Sequence, residues 1–273
     1  MPHVERHATI HGRDDLNDKP PRNPAASVRQ RLSNHAREHG EDFQYILTRY
    51  GLERLLYRLT QSPHADAFVL KGATLFQLWS NQPHRPTRDL DLLGQGEPST
   101  DRFVELFRDV CSVAVEDDGL TFLEESIRAE QIKDGDEYQG IRVRIDARLG
   151  RARIPLQVDI GFGDAITPGA IDIVYPTLLD QPAPSLRAYP RDTVVAEKFQ
   201  AMVILGIANS RMKDFYDLWI LVRQFSFDGP TICQAIEATF SRRQTNLPSS
   251  SPLALTAEFS QDRNKVIQWR AFL

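Results

Sequence analysis

The stretch Phe68–Leu93, FVLKGATLFQLWSNQPHRPTRDLDLL, decides the reading of this 273-residue chain. Phe68, Val69 and Leu70 form a short apolar run before Gly72, and Leu75, Phe76, Leu78 and Trp79 follow at helical spacing. The pattern predicts a strand that turns at glycine into a helix. The first N–H groups of such a helix lack internal partners and sit at the positive end of its dipole, which suits a phosphate, and Gly72 and Ala73 allow a close approach. Further on, Asp89 and Asp91 alternate with Leu90 and Leu92. In an extended strand the period of two puts both carboxylates on one face. Two acids side by side repel. The pair is tolerated when a cation sits between them, and hard oxygen ligands of this kind suit Mg²⁺ held jointly with substrate phosphates. A surface strand that simply carries two aspartates has the same pattern.

Outside this stretch the composition is that of a globular protein, with a formal charge of −4. That charge argues against indiscriminate nucleic-acid binding and confines any RNA site to a local basic region. No apolar run is long enough to span a bilayer, and the N-terminus lacks the basic and apolar order of a signal peptide, so a cytoplasmic location away from membranes is expected. Cys111 and Cys233 are too few and too far apart for a metal site or a disulfide framework. Both are expected to be reduced and structural.

Residues 1–25 are polar and punctuated by prolines, and read as a flexible arm. Ser27–His39 is a charged helical stretch, and Phe43–Leu59 is a stronger one with a broad apolar stripe. Arg49, Arg54 and Arg58 on the second helix read as a solvated face, with an RNA contact as the alternative. After Gly94, Gly96 and Pro98, Ser99 or Thr100 caps a helix through Phe103, Phe107 and Val110.

From Leu120 to Asp164 the pattern is mostly strand-like. Ile141, Val143 and Ile145 alternate with polar residues, as do Leu156, Val158 and Ile160, so two antiparallel neighbours are expected with Gly150 at their turn. Arg142, Arg144, Arg148, Arg151 and Arg153 are the best regional cluster for an RNA backbone, though a solvated turn explains them equally well. Asp159 lies on the opposite side of its strand from Leu156, Val158 and Ile160 in the period-two pattern. Asp146, flanked by arginines, reads as a salt-bridge residue.

Five prolines between Pro168 and Pro190 mark a loop-rich crossing to a helical region, and the division is placed near Ala188. The segment DTVVAEKFQAMVILG then reads as a helix with Asp192 near its start and Gly206 at its end. Lys198 lies within about 60° of Val194, Ala201, Met202 and Leu205 on this helix. A lysine in an apolar stripe either snorkels outward or meets an anion. In SRMKDFYDLWILVRQF, Phe215, Leu218, Trp219, Val222 and Phe225 form the apolar face, and Asp214 and Asp217 share a neighbouring stripe. Arg211 and Lys213 are local pairing partners, so a structural ion-pair network remains open there.

A glycine turn after a strand, then D-x-D on a following strand, resembles the layout of the polymerase-β-like nucleotidyltransferases. KGATLFQLW with RPTRDLDLL, QVDIGFGD and AEKFQAMVILGIANSRMKDFYDL more narrowly resemble the AbiEii/AbiGii family, nucleotidyltransferase toxins of bacterial abortive-infection and toxin–antitoxin systems. The likeness runs discontinuously from about Tyr45 to Leu221, and nothing recognisable covers residues 1–25 or 226–273. It implies a mixed α/β nucleotidyltransferase core at 26–187 and a helical region at 188–273 that completes the cleft. The implied activity is Mg²⁺-dependent transfer of a nucleotide from an NTP to RNA, most naturally the tRNA 3′ end, with release of pyrophosphate. A separate cognate antitoxin is implied as well. By the same resemblance Asp89 and Asp91 hold the metal, with Asp159 as third acid. Lys71, Gly72, Ala73 and Thr74 line the phosphate turn, Arg88 and Lys213 assist, and Lys198 neutralises phosphate oxygens. Asp214 orients Lys198 or the acceptor, and Asp217 shares or takes that role. A small-molecule nucleotidyltransferase, a kinase-like phosphoryl transfer and a non-catalytic nucleotide- or RNA-binding module remain as other readings.

Overall fold

The computed structural model describes residues 23–79, 85–134 and 138–273. Helix α1 (Pro24–His39) begins earlier than the charge pattern suggests: the Asn23 side chain accepts from Ala26 N (3.0 Å), and Pro24 supplies a helical φ in the first turn. Pro24 thus starts an element, and the arm expected over 1–25 loses its last two residues to α1. Asn23 caps that helix, and residues 1–22 lie outside the described residues.

Helix α2 (Phe43–Gln61) is capped by Asp42 and buries Ile46, Tyr50, Leu55 and Leu59. Its arginines correct the solvated-face expectation. Arg54 is 1% exposed and Arg58 6%. Both reach Asp118, Arg58 Nη1 at 2.6 Å and Arg54 Nε at 3.2 Å, and Arg54 also donates to the Pro182 carbonyl. A buried guanidinium needs carboxylate and carbonyl acceptors, and these come from segments far away in sequence, which helical periodicity does not register.

Strand β1 (Phe68–Lys71) ends at the glycine turn, as expected, but the predicted helix is reduced to a 3₁₀ turn at Ala73–Leu75 and the single turn α3 (Phe76–Trp79). The sheet is completed by β2 (Leu90–Gly94), β3 (Leu120–Asp134), β4 (Tyr138–Leu149), β5 (Ala152–Phe162), β6 (Ile171–Val174) and β7 (Ser185–Ala188), with α4 (Thr100–Ser112) between β2 and β3. The strand order is β3-β4-β5-β2-β1-β7-β6. β2 pairs parallel with β5 and β1 parallel with β7, while the other neighbours run antiparallel, so the sheet is mixed. The alternating apolar residues of β4 and β5 are buried, and α4, capped by Ser99, adds Phe103, Phe107 and Val110 to the same core. The proline-rich crossing holds more structure than its composition suggests, since β6 and β7 extend the sheet within it.

Helices α5 (Arg191–Leu205), α6 (Met212–Gln224), α7 (Gly229–Arg242), α8 (Ala257–Gln261) and α9 (Arg263–Phe272) follow. Val194 of α5 and Leu221 of α6 join the main core, whereas Met202, Met212, Ala254 and Phe259 form a second cluster. On α6 the expected apolar face is only partly buried, with Phe215 and Leu218 packed on the second cluster and Phe225 on the main core. Asp214 and Asp217 are buried, while Trp219 is 49% and Val222 60% exposed. Helical spacing marks the stripes, but the partners that meet them decide which residues of each are buried. Cys233 is exposed on α7, contrary to the structural role expected for it, and Cys111 is half-buried.

Candidate active site

The middle of the sheet sets the acids in place. Lys71 on β1 is opposite Asp91 on β2, and Asp91 is in register with Asp159 on the parallel β5. Asp89 lies one residue before β2, and the Thr87 hydroxyl donates to its Oδ1 (2.7 Å). One oxygen from each of Asp89, Asp91 and Asp159 lies within 4.8 Å of the others. Gly72 makes this packing possible. Its φ is +76°, and a Cβ there would lie 1.9 Å from Asp91 Oδ2.

The donor set fits a divalent cation. Burial, and after it the neighbouring Asp89, pushes the Asp91 carboxyl up to about 6 even with Lys71 nearby, so the protein's own cations leave the ionised group under-compensated. Asp159 is held by Arg142 through two bonds (2.8 and 2.7 Å). Each carboxylate oxygen has more than one acceptor direction, so the guanidinium does not exhaust Asp159. Asp146 pairs with Arg153 (2.6 Å), as its arginine neighbours suggested, and Arg144 pairs with Glu130. Three of the five hairpin arginines are therefore engaged with acids on neighbouring strands.

Across the cleft, α5 and α6 present a cationic group held by two buried acids. Lys198 Nζ donates to Asp214 Oδ1 (2.7 Å) and Asp217 Oδ2 (2.8 Å). Arg85 clamps Asp217 through two 2.8 Å bonds, and Arg211 Nε lies 2.6 Å from Asp214 Oδ2. Burial works against ionisation of Asp214, but Lys198 and Arg211 outweigh it and hold the carboxyl below its usual range. Lys198 thus sits in an apolar stripe because acids from the next helix meet it there.

A second ionic group forms the other wall. Lys71 Nζ reaches Asp164 (2.5 Å) and Glu197 (3.6 Å), and Arg243, just after α7, reaches Asp164 (2.9 Å) and Glu197 (3.3 Å). Burial pushes the Glu197 carboxyl up to about 7 against the pull of Lys71.

Lys71, Gly72, Ala73, Asp89, Asp91, Lys198, Lys213 and Asp214 all line one cleft of about 150 Å³, and Asp159 joins Asp89 and Asp91 from β5. Three expected residues fall elsewhere. Thr74 is buried and donates back to the Lys71 carbonyl (3.2 Å), Arg88 is exposed and does not line the cleft, and Asp217 sits behind Lys198. With only one turn of α3 after Gly72, the helix-dipole argument for phosphate also loses its basis. Arg85, Thr87, Glu197 and Arg243 line the cleft without having been singled out. Glu197 had a signal in its place beside Lys198. Nothing local in RPTRD tells Arg85 from Arg88.

A mixed sheet that gathers three carboxylates beside a glycine turn, with helices closing over them, belongs to the nucleotidyltransferase class of α/β folds. The profile of the nucleotidyl transferase AbiEii toxin family of type IV toxin–antitoxin systems matches residues 54–273, and the chain belongs to that family. The match includes residues 226–273, where motif reading found nothing. Comparison with curated proteins found no match. Two crystal structures from Helicobacter pylori resemble the chain. JHP933 is 14% identical, with a TM-score of 0.46 over 84% of this chain and 92% of its own. A candidate nucleotidyltransferase, also 14% identical, has a TM-score of 0.45 over 84% of this chain and 95% of its own. No helix among the described residues is long and apolar enough to cross a membrane.

Proposed function

We propose that the protein transfers a nucleotide from an NTP to a hydroxyl of an RNA acceptor, with the tRNA 3′ end as the leading case, and releases pyrophosphate. One observation carries this reading: Asp89, Asp91 and Asp159 converge within 4.8 Å beside Gly72, in the cleft where Lys198 faces them from α5. Asp89, Asp91 and Asp159 would hold Mg²⁺, which when bound supplies charge stabilisation for phosphoryl oxygens in an in-line displacement. The acceptor oxygen forms the new bond to the α-phosphorus, and the bond to pyrophosphate breaks.

The chain's own groups position the reactants. Gly72 makes room for the Asp91 carboxylate, and the Gly72–Ala73 backbone lines the cleft that would take the phosphates. Lys198 offers them an ammonium, held in place by Asp214 at the cleft wall and by Asp217 behind it. This geometry favours Asp214 as the acid that works with Lys198 and Asp217 as its anchor through Arg85. Residues 188–273 act as the closing half of the cleft and 26–187 as the catalytic core. The proposed setting is the cytoplasm, where NTPs and tRNA are available, with a separately encoded antitoxin countering the activity.

Incubation of the purified protein with total RNA and each α-labelled nucleotide in turn tests the reading. Label is expected on RNA, and label on small acceptors alone would point to the antibiotic-modifying kind of transferase.

A further inference from the structure

We propose that the groove between α6 and α9 holds the single-stranded end of the RNA acceptor, with a terminal base against an aromatic wall and backbone phosphates at a basic mouth. The inference rests on the nucleotidyl-transfer reading above and assigns its second substrate to a place. The groove is open to solvent and has a volume of about 810 Å³, and Arg85, Arg211 and Lys213 line both it and the catalytic cleft, so the two spaces join. The cleft alone, at about 150 Å³ and walled by ionised groups, is suited to phosphates. A transfer reaction brings two substrates to one centre, and the groove is the adjoining volume with room for a nucleotide.

Its walls change character with distance from the acids. At the mouth are the cations, with Lys213 exposed on the first turn of α6. Farther in, Tyr216 and Phe272 meet edge to face with centroids 5.7 Å apart, and Trp219 backs Tyr216 in a stacked contact at 5.8 Å. Gln268 accepts from Lys265 through Oε1 (3.0 Å), which leaves its amide N–H groups as the end offered to a ligand. Cations first, then flat rings with an amide, is the order in which a polynucleotide end presents phosphate and base. Arg85 and Arg211 are paired with Asp217 and Asp214, so the exposed Lys213 is the cation best placed for a backbone phosphate.

Binding of a fluorescein-labelled single-stranded octaribonucleotide to the full chain, followed by anisotropy, tests the groove without requiring turnover. Phe272→Leu keeps apolar packing against Tyr216 and removes the aromatic face. It should weaken binding roughly 5- to 150-fold and raise KM for RNA while leaving KM for the nucleotide unchanged. Lys213→Glu, at an exposed position, should weaken binding and flatten its salt dependence. Wild-type affinity in both variants would overturn the proposal, and so would a rise in KM for the nucleotide alone, which assigns the groove to the incoming base. Oligonucleotide binding that depends on Phe272 in a protein that transfers nothing supports the groove and sinks the functional reading. Transfer by a wild type whose Phe272→Leu variant binds and turns over normally sinks only the groove.

Discussion

Lys198 shows how far a single residue's sequence context reaches. Its place in an apolar stripe demands an anion or an escape to solvent, and by that logic Lys198→Met should be tolerated for stability. The structure reverses this expectation, because the ammonium, together with Arg211 and Arg85, balances the charge of Asp214 and Asp217, both buried. Removing Lys198 leaves Asp214 and Asp217 with Arg211 and Arg85 alone, so Lys198→Met should lower stability by about 1–3 kcal/mol and abolish transfer, as chemical denaturation and a transfer assay will show. Lys198→Arg should retain most of the stability without full activity, since a planar fork does not replace a compact ammonium. Unchanged stability in Lys198→Met would mean that the ion pairs do not persist in solution. Gly72 gives a second test at this scale. A methyl group there would collide with Asp91 and oblige a non-glycine residue to hold φ +76°, so Gly72→Ala should cost about 1–3 kcal/mol and displace the acid. Wild-type transfer by that variant would show that the contact does not shape the site.

At the scale of elements, the strands were legible because alternation reports burial directly. β4, β5 and the turn at Gly150 appear where the period of two places them. Helix faces were less so: α6 turns its acids inward and leaves Trp219 in solvent because Lys198 and Arg85 arrive from elsewhere in the chain and join the local Arg211. Likewise Arg54 and Arg58 of α2 are buried on Asp118, 64 and 60 positions away. The same helix carries a pH-sensitive group. Burial pushes the Glu53 carboxyl up to about 7, although the Leu178 N–H and Arg54 favour its ionised form. The folded state therefore keeps a proton that the unfolded chain gives up near 4.5. The associated stability is fully present below that pH and is lost as pH rises through 7. Glu53→Gln still accepts from Leu178 N and cannot ionise, so it should remove a pH-dependent loss of order 1–3 kcal/mol between pH 5 and 8. Parallel denaturation profiles for the two proteins over that range would show that Glu53 ionises as an ordinary surface carboxylate does.

For the whole molecule, the D-x-D strand, the middle acid and the lysine helix were each visible locally, and the sheet explains why they meet. The parallel pairing of β2 with β5 sets Asp91 beside Asp159, and the antiparallel pairing with β1 sets Lys71 opposite. The C-terminal helices carried no recognisable motif, yet Arg243 enters the cleft and Lys265 pins α9 to the α5–α6 connection through the Asn209 carbonyl (2.8 Å). Such contacts join segments with no shared periodicity, so only the folded chain displays them. The central claim is that the three carboxylates serve nucleotidyl transfer to RNA. Its most direct test compares wild type with Asp91→Asn, using RNA and nucleotides labelled at the α- or γ-phosphate, with and without excess chelator. The account predicts α-label on RNA from the wild type alone, abolished by chelator, and an Asp91→Asn protein that remains folded while its turnover falls by orders of magnitude. Wild-type transfer by Asp91→Asn, transfer in excess chelator, or γ-label on the product would contradict it.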